Sequence, residues 1–317
     1  MRVLAIVDYS YLYYKYLFQV LNGKMKRLTT CIDWKGTFIE KDVSTIYYSM
    51  KEIEGIRKQL EGFGHELTTA ICFDMPCDER KLNHSTEGVA EAAQAYKSKR
   101  SKKLSDEDFE NIEFVEKTLN SAGHNTFRVK GMEADDIITN LVNKYKTEFD
   151  FVLIYTSDKD LIVNVDNTVG VMRYKVTKGY GQVDINTYTS YMEPEFKSTI
   201  PYNALLLYLC TVGDKSDDVA GIKKFGPKAF DKLVQYILEN EPSIDWKIAS
   251  TKEGVTSILN KCKGYLTEEQ LEQALTSLEM VAPIKIDDSI ISKLDRKCTR
   301  ELRENTYSKY SMGSLID

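Results

Sequence analysis

Three short apolar stretches stand out against the polar background of the chain: residues 3–7, 70–73 and 151–155. Their length and β-branched content are typical of strands that are buried on both faces of a parallel sheet. Between them, apolar residues recur at helical spacing in segments 46–60 and 137–145. The pattern predicts an α/β fold in which a mostly parallel central sheet is flanked by helices.

Each predicted strand ends next to a carboxylate. Asp8 follows the first strand, Asp74 the second, and Asp158 and Asp160 lie in the loop after the third. Because the carboxyl ends of parallel strands meet at one edge of a sheet, we expect these side chains to converge there. A helix N-cap is the alternative for any one of them, but their joint occurrence favours a shared site.

Two further acidic clusters follow the same logic. Glu133, Asp135 and Asp136 lie at the start of the helix predicted for 137–145, and Asp214 and Asp217 follow an apolar helix predicted for 204–212. Acids in a first helical turn also interact favourably with the helix dipole, which is the purely structural alternative. One cap needs one acid, however, and here several are present.

Gathered in one crevice, these carboxylates would repel one another by about 4 kcal/mol per pair at 4 Å and an effective dielectric near 20. Divalent cations are the natural remedy. Oxygen ligands without His or Cys select hard ions such as Mg²⁺ or Mn²⁺. The sequence therefore predicts phosphoryl transfer or phosphodiester hydrolysis with two ions about 3.5 to 4 Å apart.

A basic segment follows the second acid-bearing strand. Residues 94–104 contain no acid and carry these positive charges: Lys97, Lys99, Arg100, Lys102 and Lys103. A solvated helix face is the usual explanation of such a run. Its place in a long insertion beside the predicted metal site favours a functional loop, in which Tyr96 could stack on an unpaired base.

A second candidate for phosphate binding is the segment 221–230. It contains Gly221 and Gly226, and Pro227 suits the first turn of a helix running to about residue 239. A glycine turn and a helix N-terminus present free amides to a phosphate backbone, and Lys223 and Lys228 add charge. An ordinary helix-turn-helix is the open alternative.

Composition narrows the possibilities. The 317 residues correspond to about two domains, and 43 basic against 48 acidic residues give a net charge of −5, so nucleic-acid binding would need a local basic patch. Six cysteines without a CxxC pair and three separated histidines argue against a zinc ribbon or a disulfide scaffold. No apolar stretch reaches the roughly 20 residues of a membrane span. We expect a cytoplasmic protein, in the host cytoplasm if it is viral.

Taken together, these motifs resemble the flap endonuclease or 5′-nuclease superfamily, especially its bacteriophage and bacterial members. The resemblance rests on segments in family order: 5–13, 73–74, 96–100, 131–136, 156–160, 213–217 and 221–228. It implies a two-Mg²⁺ nuclease, with Mn²⁺ as a substitute, that recognises DNA with a 5′ flap or nick and hydrolyses a phosphodiester near the junction. Removal of RNA primers from RNA–DNA hybrids is a further implication.

The resemblance also implies roles for individual residues. Asp8, Asp74, Glu133 and Asp135 would hold the first ion, with Asp136 nearby, and Asp158, Asp160, Asp214 and Asp217 would hold the second, some through water. Lys97 and Arg100 would neutralise charge on the scissile phosphate. The insertion would form a helical arch over the 5′ strand, with Arg80 as its arginine and Lys99 contacting DNA. Segment 221–230 would be a helix-hairpin-helix element that grips duplex phosphates, in some members with K⁺.

Three positions depart from the family pattern. Tyr9 replaces the glycine that usually follows the first aspartate. Lys224 replaces a hairpin glycine at the tight turn where the resemblance implies the K⁺ site. Asp218 replaces an asparagine beside the last metal ligand and adds negative charge.

The predicted organisation is a catalytic core over residues 1–200 with the arch at about 75–110, a helix-hairpin-helix subdomain at 201–280, and a C-terminal segment, 281–317, packing back on the core. We expect a free-standing monomer without a polymerase domain, with a sliding clamp or single-strand-binding protein as candidate partners. Two rival functions stay open: a PIN-type ribonuclease, and a DNA-binding protein without catalytic activity.

Overall fold

A computed structural model describes residues 1–34, 36–75, 104–175, 178–291 and 293–316. Its strands are β1 (Arg2–Asp8), β2 (Thr29–Trp34), β3 (Thr37–Asp42), β4 (Glu66–Cys72), β5 (Asn125–Phe127), β6 (Phe151–Thr156), β7 (Val169–Lys175) and β8 (Gly179–Val183). Its helices are α1 (Tyr9–Leu21), α2 (Ser44–Gly62), α3 (Asp106–Ser121), α4 (Ala134–Tyr145), α5 (Tyr188–Phe196), α6 (Leu205–Val212), α7 (Pro227–Asn240), α8 (Lys252–Lys261), α9 (Glu268–Val281) and α10 (Arg300–Lys309).

The central sheet has the order β5-β4-β1-β6-β7-β8, and β2 and β3 form a separate hairpin. Strands β5, β4, β1, β6 and β7 run parallel to one another, and β8 pairs antiparallel with β7. The three predicted strands are therefore present as β4, β1 and β6, side by side at the centre. The predicted α/β fold is confirmed, whereas the β7–β8 and β2–β3 hairpins were not predicted.

Alternation along β1 explains why the sheet is covered on both faces. Leu4 and Ile6 pack into one apolar cluster, with α4, α6, α7 and α9. Ala5 and Val7 point the other way, into a cluster with α1, α2, α3 and the C-terminal helix α10. The result is a three-layer arrangement with a buried central strand.

Two glycines hold α6 against the turn that precedes α7. A Cβ on Gly221 would lie 2.4 Å from the backbone nitrogen of Gly213, and a Cβ on Gly213 would lie 2.6 Å from the carbonyl oxygen of Val219. Both glycines also have positive φ, +63° and +88°. Only residues without a Cβ allow these backbones to cross so closely.

We expect Gly221→Ala to lower the free energy of unfolding by about 3 kcal/mol, because it adds an overpacked contact to left-handed strain. Gly55→Ala is the matched control. Gly55 lies in the exposed middle of α2 with no atom within 4 Å of its Cβ position. This variant should gain up to about 1 kcal/mol from helix propensity. Urea midpoints of both variants check the expectation, and equal stability would contradict the packing argument.

Candidate active site

A cleft of about 620 Å³ opens at the carboxyl edge of the central strands. Five of the predicted acids line it: Asp8, Asp74, Glu133, Asp135 and Asp158. Residues separated by 150 positions in the sequence thus share one crevice. The first expectation from the strand pattern, convergence of strand-end carboxylates, is met by the geometry.

Hydrogen bonds fix the orientation of the two strand-end aspartates. Asp8 is the N-cap of α1, and its Oδ1 accepts the backbone N–H of Ser10 at 3.1 Å. Its Oδ2 accepts the Thr156 hydroxyl at 2.8 Å. Asp74 accepts the N–H of Ala134, at the start of α4, at 2.7 Å. The capping alternative is therefore true for Asp8 and does not exclude a functional role.

The cleft concentrates negative charge. Burial, followed by repulsion from Asp74, raises the pKa of Asp8 to about 8, with Asp158 and Asp135 adding to the effect and the Thr156 hydrogen bond opposing it. The Asp74 side chain is itself exposed to solvent, which screens its share of the repulsion, so the buried Asp8 carries the argument. A cation in the cleft would relieve this repulsion.

A second group of carboxylates lies outside the lining of that cleft and is linked to it through Asp158. Asp160 has its pKa raised well above the ordinary value by burial and then by repulsion from Asp158 and Asp214, with a smaller effect of Asp217. The N–H of Asp160 also donates to Asp158 Oδ1 at 2.9 Å. Because Asp158 interacts with both Asp8 and Asp160, the two groups form one continuous acidic site.

Lys159 lies inside the second group and was not among the site residues predicted from the sequence. Its ammonium donates to Asp214 Oδ2 at 2.7 Å and lies 3.9 Å from Asp160 Oδ1. Asp214 Oδ1 accepts both the backbone N–H and the hydroxyl of Ser216. Burial raises the pKa of Asp214, but the hydrogen bonds from Lys159 and Ser216, together with the charge of Lys159, outweigh it and the net shift is downward. The signal was visible as a lysine between two predicted ligands.

Asp136 differs from its neighbours in the sequence. Its ligand atoms lie within 4.8 Å of those of Glu133 and Asp135, so the three could hold a cation together. Its side chain is fully buried, however, and Oδ1 accepts the N–H of Ile284 at 2.8 Å. One oxygen of Asp136 therefore anchors the C-terminal segment to α4.

The predicted arch contacts cannot be placed. Arg80, Tyr96, Lys97, Lys99 and Arg100 all lie outside the described residues, so their roles stay predictions.

The hairpin before α7 corrects one expectation. We expected free amides in this segment, but the N–H of Gly221 donates to the Ser277 hydroxyl at 3.1 Å and that of Lys223 donates to Gln273 Oε1 at 2.9 Å. Both acceptors belong to α9, which packs against the segment and uses these donors. Phosphate contacts would then come from the side chains of Lys223 and Lys228, which are exposed, and from the first turn of α7 after Gly226.

The same segment keeps its turn despite the substituted glycine. Lys224 adopts a left-handed backbone conformation with φ of 61°, and Asp218 does so with φ of 59°. The two departures from the family pattern are thus accommodated at the cost of local strain, which is greater for the lysine.

The opposite wall of the cleft is aromatic and basic, and this feature was missed. Tyr11, Tyr14, Lys15 and Phe18 lie on one face of α1, immediately after Asp8, and Tyr174 faces them from β7. The ammonium of Lys15 lies 4.0 Å from the centre of the Tyr174 ring. The spacing i, i+3, i+4 and i+7 in the sequence could have identified this face.

Comparison with known proteins gives the family. Residues 3–193 match the model of the 5′-3′ exonuclease N-terminal resolvase-like domain. The chain is 28% identical to a 5′-3′ exonuclease of Mycoplasmopsis pulmonis, over 65% of this chain and 69% of that protein. It is 34% identical to DNA polymerase I of Treponema pallidum, over 44% of this chain but only 13% of that much longer protein.

Solved structures show the same fold at low sequence identity. The flap endonuclease of bacteriophage T5, in a complex with DNA and metal ions, aligns with a TM-score of 0.52 and 15% identity over 88% of this chain and 99% of that one. The catalytic core of Rad2 with DNA substrate aligns with a TM-score of 0.50 and 12% identity over 99% and 91%. With the family model covering more than half of its residues, this chain belongs to the 5′-3′ exonuclease family.

Proposed function

We propose that this protein is a structure-specific 5′ nuclease that hydrolyses phosphodiester bonds of DNA carrying a 5′ single-stranded flap or a nick, acting as flap endonuclease and 5′-3′ exonuclease. The observation that carries the proposal is the continuous acidic site in which Asp158 joins the cleft carboxylates to those around Asp160. Removal of RNA primers would use the same chemistry. A partner clamp or single-strand-binding protein and a monomeric state stay predictions.

The donor set fits two hard divalent cations. Every candidate ligand is a carboxylate oxygen, and the pKa of Asp8 is raised first by burial and then by repulsion from Asp74, which bound cations would relieve. We assign Mg²⁺, with Mn²⁺ as a substitute, to two groups: Asp8, Asp74, Glu133 and Asp135 with Asp136 nearby, and Asp158, Asp160, Asp214 and Asp217. When bound, such ions supply an acidified water and neutralise charge on the leaving oxygen.

Side chains and amides of the protein would position both a metal ligand and the reacting strand. The Ser10 amide and the Thr156 hydroxyl hold both oxygens of Asp8 in place. Lys24 is exposed and brings positive charge to the lining of the cleft, which favours entry of a phosphate backbone, whereas the charge of Lys15 is paired with Glu52. The exposed ring of Phe18 and its stacked neighbour Tyr14 suit stacking of bases, worth about 1–3 kcal/mol per base. Lys97 and Arg100 would neutralise charge that develops on the phosphate.

The lysines of the hairpin, Lys223, Lys224 and Lys228, are exposed and suit non-specific contacts with duplex phosphates. The hairpin starts at the acidic site itself, because Asp214 and Val219 exchange two backbone hydrogen bonds of 3.0 and 2.8 Å. A duplex bound there would lead its 5′ strand toward the carboxylates. A K⁺ ion at this turn stays a prediction, and the left-handed Lys224 preserves the turn that it would need.

A 5′-labelled flap substrate tests the function in one gel. We expect release of the flap with Mg²⁺ and none with EDTA. Cleavage restricted to single-stranded RNA would favour the PIN-type ribonuclease, and a mobility shift without cleavage would favour a DNA-binding protein. Asp158→Asn should lower turnover by about a hundredfold or more, because it removes a proposed metal ligand. Flap affinity should stay intact, because the variant loses a charge that repels phosphate.

Asp288→Asn is the matched control for this variant, because Asp288 is an acid that is 84% exposed and does not line the cleft. It should cleave at the wild-type rate. Retained turnover in Asp158→Asn would contradict the assigned site.

The stability of the metal-free protein should depend on pH through Asp8. Its pKa is raised from 3.8 to about 8, so between these values the native state keeps a proton that the unfolded chain has lost, and the free energy of unfolding falls as pH rises. Asp8→Asn should remove this contribution and stabilise the protein at pH 8 by about 2 kcal/mol. Urea unfolding in EDTA at pH 5 and pH 8, wild type against variant, isolates Asp8 from other titrating groups. Parallel profiles would rule the effect out.

Two substitutions at Lys224 separate its charge from its backbone strain. Lys224→Gly and Lys224→Ala each remove one charge, so each should reduce the slope of log affinity against log salt for duplex DNA by about 0.9. Glycine accepts φ of 61° without strain, so it should be more stable than alanine by about 1 kcal/mol. Equal unfolding midpoints would refute the strain, and an unchanged salt slope would refute the phosphate contact.

A further inference from the structure

A cluster of buried polar groups lies between the core and the C-terminal segment, outside the acidic site. Its centre is His124, which is fully buried and follows α3. Its Nε2 lies 3.0 Å from Glu54 Oε1, on α2, and 3.3 Å from the sulfur of Cys298. The hydroxyl of Thr69, on β4, lies 2.8 Å from His124 Nδ1. Three segments distant in sequence thus meet around one imidazole.

The cluster pairs carboxylates with guanidinium groups, and Arg57 donates to Glu61 as well as to Glu54. Glu54 Oε2 accepts Arg57 Nε at 2.6 Å, and Glu54 Oε1 also accepts the Tyr307 hydroxyl at 2.6 Å. Arg303 donates through Nη1 to the carbonyl oxygen of Cys298 at 3.2 Å, and the same nitrogen lies 3.8 Å from the sulfur. Arg303 is only 6% exposed, and its Nε lies 3.7 Å from Glu54 Oε2, beyond hydrogen-bond distance. The sulfur of Cys298 is thus contacted by both Arg303 and His124.

The backbone is built to hold Cys298 there. Gly123, with φ of +94°, lets the chain approach so closely that a Cβ on it would lie 2.9 Å from the Cα of Cys298. The cysteine is only partly buried, so reagents can reach it from solvent. Burial disfavours the imidazolium form of His124, but hydrogen bonds with Cys298 and Glu54 outweigh it and raise its pKa to about 9.

We propose that Cys298 is a reactive thiol, a site of oxidation by peroxides and of modification by other thiol-directed electrophiles, and that its modification weakens the attachment of the C-terminal segment. The reason is its contact with a histidine and a buried guanidinium, which place hydrogen-bond donors and positive charge beside the sulfur. The charged and titratable groups that face it are Glu54, Arg57, His124, Arg303 and Tyr307. A divalent cation fits this place less well, because Arg57 and Arg303 would repel it and both oxygens of Glu54 already accept hydrogen bonds.

With hydrogen peroxide the step balances. The thiolate sulfur attacks one peroxide oxygen, an S–O bond forms as the O–O bond breaks, and the leaving hydroxide takes the proton of the His124 imidazolium to become water. Sulfur is oxidised by two electrons and the peroxide is reduced. The products, a sulfenic acid and a neutral imidazole, no longer form an ion pair, and Glu54 loses one of its charged partners while it keeps Arg57. The link between α2 and the C-terminal segment is then weaker.

Competitive alkylation of the full-length protein with iodoacetamide, read by peptide mass spectrometry, tests the proposal. Cys31 is the internal control, because it is exposed and lies outside the cluster. At pH 7 we expect Cys298 to react about tenfold faster than Cys31 although it is less exposed. Arg303→Met should slow Cys298 without changing Cys31, and Arg303→Lys should restore part of the rate. The ratio of the two rates in the wild type keeps the test valid if Arg303→Met fails to fold.

Peroxide treatment tests the structural consequence. Protease cleavage after Lys297 or Arg300 should accelerate in the oxidised wild type but not in peroxide-treated Cys298→Ser. Equal reactivity of Cys298 and Cys31 would overturn the proposal. So would protection of Cys298 by one equivalent of Zn²⁺ that EDTA reverses, since that result would identify a metal site instead.

Discussion

The repulsion among carboxylates at the carboxyl edge of the sheet is the constraint on which the rest of the structure depends. Asp8, Asp74 and Asp158 meet there because β1, β4 and β6 are neighbouring parallel strands. Hydrogen-bond donors from the segments that follow stabilise the negative charge at that edge. The free energy that holds the strands together comes from burial on both faces of the sheet, at roughly 25 cal/mol per Å² of apolar surface. The core thereby sustains an arrangement that its charges oppose.

Backbone amides solve the local part of this problem in a repeated way. Asp8 accepts the N–H of Ser10, Asp158 that of Asp160, and Asp214 that of Ser216, each two residues further along the chain. The hydrogen bond fixes one carboxylate oxygen and thereby aims the other. One aspartate can consequently be both a capping residue and a candidate metal ligand. The N-cap interpretation of strand-end acids competes with the functional one only when each acid is considered alone.

The sequence predicted the centre of the fold and the membership of the acidic site because both follow from local pattern. Apolar runs of strand length identified β1, β4 and β6, and the acids that follow them had to lie at one edge. The β2–β3 hairpin and β8 have no such apolar run, and two of the five residues of β8 are glycines. The use of the Gly221 and Lys223 amides by α9 was also beyond reach, since it depends on where a helix 50 residues away packs. Contacts of that kind are set by tertiary packing and not by periodicity.

The two groups of the acidic site compensate the same repulsion in different ways. In the second group the protein supplies its own cation, since Lys159 pairs with Asp214 and holds the pKa of that carboxyl below its ordinary value. Asp8, in the first group, has hydroxyl and amide donors, and its pKa is raised. The second group still has repulsion for a cation to relieve, because burial and repulsion from Asp158 and Asp214 keep the pKa of Asp160 well above its ordinary value despite Lys159. Lys159 therefore offsets only part of the repulsion there, and the binding of external cations is coupled to the stability of the fold through both groups.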